Sequence, residues 1–226
     1  MQYRYMRQSI IIDRSSAQRN SEMKSLITPQ ISRFTWMRII TVIATLSALQ
    51  VVHTFWDLAW DRVSIADGDY WRLITGHLVH NNSNHLLLNS VGITIALLLI
   101  RDTFGVRSFC TLNFLVALLT GIFLYVFEPQ LYYYVGFSAV LHGLVASYGI
   151  NKVPSTPWFG GAILCLLALK LVLEGQPQFT ANLIGIRVAT EAHFWGLISG
   201  LIAGVVFICG AHWQKKRLPS HLESAG

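Results

Sequence analysis

The chain has 226 residues, 53% of them hydrophobic and 12% charged, with a formal charge of +6. That is about half the charge of an ordinary soluble domain, with excess apolar content, which excludes disorder and disfavours a soluble fold. Three cysteines are too few for a disulfide framework; Cys110, Cys165 and Cys209 all fall inside apolar runs and read as small buried hydrophobes.

Residues 1–35 form a polar, Arg- and Ser-rich segment without a long apolar stretch. It reads as a cytosolic tail rather than a cleaved secretory signal, with an organellar transit peptide as the alternative. Apolar runs follow at about 36–56, 84–100, 108–127, 138–150, 158–173 and 190–211. A polar stretch at 57–82 separates the first two, and Glu128-Pro129 stops the third. Residues 130–136 are aromatic, as befits a membrane surface. The fourth run is too short to span a bilayer unless neighbouring helices bury it. The expected architecture is therefore an all-α membrane protein of six transmembrane helices over 36–211, with a basic tail at 212–226. Repeats at a fixed period are not visible, which weakens an inverted-repeat transporter.

The Lys and Arg residues set an orientation. Thirteen of seventeen lie in the N-terminal segment through Arg38, in the C-terminal tail or in the segments 101–107 and 151–157. Only Arg62, Arg72 and Arg187 fall on the opposite side, and Lys170 is within a span. This bias places both termini in the cytoplasm and loops 57–82, 128–137 and 174–189 outside. The basic residues form no stripe along one helix, so the bilayer rather than a nucleic acid is the expected partner.

Polar groups inside spans are costly, so each is a candidate for function. His85 and Asn89 share a face of the second span by their i, i+4 spacing, as do Ser138 and His142 of the fourth. The sixth span opens with His193. On this topology all of them gather at the outward helix ends. A nucleophile, a base and oxyanion donors are the parts of an acyl hydrolase. No carboxylate is obvious as a third member, because Glu191 points to another helix face than His193; a Ser–His dyad has to suffice. Taken singly, the bland readings compete: a Ser in an apolar helix bonds its own backbone, and a lone His is structural. His53, His77 and His80 are read that way. His77, His80 and His85 lack an HExxH-like carboxylate pattern, so neither a metal nor any other cofactor is expected. Gly196, Gly200 and Gly204 recur every four residues, permitting a close helix approach that would hold His193 near Ser138.

The segment Trp71-Arg72-Leu-Ile-Thr-Gly-His77, the His85…Asn89 pair, Gly136-Phe-Ser138 and Ala192-His193…Gly196…Gly200 together resemble a rhomboid intramembrane serine protease over about residues 67–210. The resemblance implies a six-helix rhomboid bundle, Ser138 as nucleophile, His193 as general base, and His85, Asn89 and the Ser138 backbone N–H on the oxyanion side. It makes the Trp71-Arg72 loop a half-embedded first loop. Two positions depart from many rhomboids: Ala139 replaces a Gly directly after the serine, and His142 replaces a Tyr that packs on the catalytic His. His142 is thus also a rival base. The stretch Gly-Phe-Ser-Ala-Val-Leu-His142-Gly143 and the Lys170…Glu174 pair are similar to the rhombosortase branch. That branch implies substrates with a C-terminal Gly-Gly motif, a membrane helix and a basic tail, processed at a bacterial inner membrane. A general rhomboid protease acting on single-span proteins, and a non-catalytic helix-binding protein, are the alternatives.

Overall fold

The structure, a computed structural model, describes residues 31–101, 103–175 and 189–217. Five helices are long and apolar enough to cross a membrane: α1 (Arg33–His53), α4 (Ser83–Ile100), α5 (Val106–Phe127), α7 (Pro157–Glu174) and the Thr190–Gly210 part of α8 (Thr190–Arg217). The protein is a multi-pass all-α membrane bundle. Helix α1 starts earlier than the apolar run because Ser32 caps it, its hydroxyl accepting from the Thr35 amide at 3.1 Å. Helix α8 outruns the last apolar stretch, since no proline interrupts the chain before Pro219.

The fourth apolar run forms α6 (Ser138–Lys152), 15 residues long and so about 22 Å, short of a hydrocarbon core of about 30 Å. The helix survives in the middle of the bundle, where α4, α5, α7 and α8 pack around it. Val140, Leu144, Ala146 and Ser147 are buried completely or nearly so. The closest packing is against α8. A Cβ at Gly196 would strike the Ala139 carbonyl, and one at Gly200 the Gly143 backbone. The hydroxyl of Ser147 donates to the Gly200 carbonyl at 2.6 Å, tying the same two helices.

The loop between α1 and α4 is ordered by its own polar groups. Strand β1 (Trp60–Asp61) leads into the short helix α2 (Arg62–Ala66); α3 (Arg72–Thr75) and a 3-10 turn (Gly76–Leu78) follow. β1 pairs antiparallel with β2 (Tyr133–Tyr134), with Trp60 opposite Tyr134. Arg62 donates to the Leu124, Glu128 and Leu131 carbonyls and so caps the end of α5. Arg72 is buried; it donates to the Ala59 carbonyl at 2.9 Å and to Asp69 at 3.0 Å, with its guanidinium over Trp71. Both arginines, read from the sequence as outer-loop charges, act as pins. Arg62 holds the loop against the segment that delivers Gly136 and Ser138, and Arg72 ties the loop to itself.

One sequence expectation is corrected. Cys110, Cys165 and Cys209 are exposed, on the outer faces of α5, α7 and α8. In a membrane bundle the lipid-facing surface is itself apolar, so an apolar run does not imply burial within the protein.

Candidate active site

The chain enters the site through Gly136, whose φ of +129° lies where side chains are rarely tolerated. Its amide donates to the Gly76 carbonyl at 3.0 Å, and its own carbonyl accepts from the Tyr134 hydroxyl at 2.5 Å. A Cβ here would also meet the His85 ring, 2.7 Å from Cε1 and 2.9 Å from Nε2. The backbone is thus held in place from both sides, and Ser138 follows at the first position of α6. No side chain caps the start of this helix. The first amides of a helix have no intrahelical acceptor, which makes this end a natural place for a developing negative charge.

Ser138 Oγ lies 2.6 Å from His193 Nε2. The far ring nitrogen, Nδ1, is 2.9 Å from Glu174 Oε2. A carboxylate only accepts, so the His193 proton resides on Nδ1 and the Nε2 lone pair faces the serine. The sequence reading had no carboxylate for this place and relied on two residues alone. Glu174, at the C-terminal end of α7, extends the arrangement to three. Its separation in sequence from both partners hid it, and the Lys170…Glu174 spacing was the one available signal.

His142 stacks on His193, with ring centroids 4.3 Å apart and planes 17° from parallel. Its Nδ1 donates to the Ser138 carbonyl at 2.7 Å, and its Nε2 accepts from Lys170 Nζ at 3.0 Å. Lysine has no acceptor, so both imidazole nitrogens are committed. The geometry therefore sets His142 beside His193 as a packing partner and leaves it no lone pair for Ser138. Lys170 also bonds Glu174 Oε1. The donor atoms of His142, Glu174 and His193 lie within 4.8 Å of one another, as a metal site would require. The Lys170 ammonium already bonds two of these three residues, which suits the cluster to a salt-bridged network.

On the other wall, His85 faces Gly136 and Asn89 lies buried one turn along α4. The Asn89 side-chain nitrogen donates one of its two hydrogens to the His85 carbonyl at 2.9 Å, which fixes the amide and leaves the second hydrogen to donate elsewhere. His80 sits behind His85 in an edge-to-face contact at 5.0 Å. Burial, with His85 adding to it, lowers His80 to about 3, and burial lowers His77 to about 4. Neither is charged near neutral pH, which fits the structural role read for them. His77 Nδ1 meets the Tyr134 hydroxyl at 3.3 Å.

The chain matches the Rhomboid domain over residues 67–209, the stretch from the α1–α4 loop into α8. It belongs to the rhomboid family. It is also 28% identical over 192 residues to a Bacillus subtilis (strain 168) protein named "Putative rhomboid protease YdcA", covering 77% of this chain and 92% of the relative. Rhomboids are intramembrane serine proteases that act on transmembrane substrates within the bilayer. Within this rhomboid bundle, Ser138, His142, Glu174 and His193 come from three helices, α6, α7 and α8, and α4 supplies His85 and Asn89.

Proposed function

We propose that this rhomboid is an active intramembrane serine endopeptidase of the rhombosortase type. It cleaves the C-terminal Gly-Gly and membrane-helix tail of exported proteins at the outer boundary of a bacterial inner membrane. The observation that carries the reading is the 2.6 Å approach of Ser138 Oγ to a His193 nitrogen whose lone pair faces it. Ser138 Oγ attacks the scissile carbonyl, and His193 Nε2 takes its proton and returns it to the leaving amine. The first amides of α6 and the His85 ring stabilise the oxyanion, and Asn89 joins them through its second amide hydrogen. Water, or an acceptor amine, then releases the acyl group. Small residues at the cleavage point suit a site where Gly136, Gly196 and Gly200 already admit no side chain. The rhombosortase branch is supported by His142 and the Lys170…Glu174 pair, which match its pattern in the sequence.

Co-expression with a substrate bearing a Gly-Gly tail tests this. Ser138→Ala and His193→Ala should each abolish processing, and a fluorophosphonate probe should label the wild type but not Ser138→Ala. Full processing in either variant removes the assignment. An unlabelled, inactive wild type points to a helix-binding protein. Cleavage of single-span proteins without regard to the Gly-Gly motif points to a general rhomboid protease.

A further inference from the structure

The proposed chemistry uses Ser138 and His193 and leaves a charged pair behind them without a task. Glu174 has a side chain only 10% exposed, at the end of a membrane-crossing helix, where an unpartnered carboxylate would be costly. It has three partners there: His193 Nδ1 at 2.9 Å, His142 Nε2 at 3.7 Å and the Lys170 ammonium. Lys170 is one turn back on α7, and half of its side chain is exposed. An ordinary i, i+4 surface pair has no reason to choose the back of an imidazole whose front faces a serine.

We infer that Glu174 is the positioning carboxylate of His193, completing a Ser138–His193–Glu174 triad, and that Lys170 secures Glu174 and supplies its counter-charge. The inference rests on the proposed Ser138–His193 reading. The hydrogen-bond arithmetic admits one consistent set. Lys170 donates to Glu174 and to His142 Nε2; His142 therefore donates from Nδ1 to the Ser138 carbonyl; Glu174 accepts from His193 Nδ1; His193 Nε2 is left as the acceptor for Ser138 Oγ. Both imidazole hydrogens and the serine hydroxyl hydrogen have a place, and the tautomer of His193 is the one a general base needs. During acylation the Ser138 Oγ bond to the substrate carbon forms and the carbonyl π pair moves to oxygen. The serine proton passes to His193 Nε2. Glu174 stays unprotonated and balances the positive imidazolium, and the Nδ1 proton does not move. The charged groups facing His193 are Glu174 and, behind it, Lys170, both from α7. The titratable imidazoles are His142 from α6 and His85 from α4.

The test is Glu174→Gln in the full-length protein, in detergent and in liposomes. The variant keeps the size and the acceptor oxygen but loses the charge. We expect kcat to fall about 10²- to 10⁴-fold with KM within twofold of wild type, and fluorophosphonate labelling of Ser138 to slow in proportion. A purely structural role would lower the melting temperature and leave kcat near wild type. Labelling within threefold of wild type overturns the triad while leaving the Ser138–His193 protease standing. An unlabelled wild type removes the protease reading itself. Should Glu174→Gln fail to fold, Lys170→Met, at a half-exposed position, reads the same network. A roughly tenfold loss in kcat at unchanged KM is expected there, and wild-type kcat overturns the role of Lys170 and of its pairing.

Discussion

Ser138 has two imidazoles beside it, and hydrogen-bond inventory decides between them. His142 donates to a backbone carbonyl and accepts from an ammonium, whereas His193 presents an acceptor to the hydroxyl. Sequence spacing could not separate the two, because His142 stands at i+4 from the serine and His193 on a distant helix. The role left to His142 is to stack on His193. A tyrosine can fill that place, as it does in many rhomboids. His142→Tyr should therefore retain activity within about tenfold, the scale of a lost hydrogen bond, whereas loss of the base should be near total. Processing assays on the two variants side by side check this; equal, complete losses would make His142 a base.

At the scale of the element, the decisive contact is α6 on α8. Gly143, Gly196 and Gly200 bring the two backbones together, and a side chain at Gly200 would drive into Gly143. The glycine repeat announced this close approach in the sequence, and the helix it meets is the Ser138 helix expected there. Gly200→Val should separate Ser138 from His193 and abolish labelling, at an overpacking cost of about 1–3 kcal/mol or more. Gly161→Ala, on a face of α7 where a Cβ meets nothing, should label normally and melt slightly higher. Equal labelling of both variants would show that the glycine contact does not govern the site. The outer loop was less legible. Residues 57–82 read as a polar stretch, yet β1, α2 and α3 are ordered there by Arg62, Arg72 and the buried Trp60. The contacts of Trp60 and Arg62 join residues more than 60 positions apart, such as Trp60 Nε1 with the Gly121 carbonyl at 3.2 Å, and no local pattern encodes them.

For the whole molecule, the fold follows from the bilayer as solvent. Six apolar runs gave six helices, and the short fourth run became the central one, because only a helix surrounded by protein can be shorter than the membrane. Orientation rests on charge: thirteen of seventeen basic residues fall on one side. Reporter fusions after residue 103 and after residue 155 should read as cytoplasmic, and a fusion after residue 130 as external. The opposite pattern would place the proposed site on the cytoplasmic face.

The sequence by itself determined the membrane class, the six apolar helices, the charge bias and the residues to watch, because each depends on local composition or on spacing within one helix. The tertiary structure decided what faces His193 from behind. Glu174 is 19 residues from it in the chain and Ser138 is 55 away. Such partnerships exist only once α6, α7 and α8 are packed, and hydropathy carries no record of which polar ends will meet.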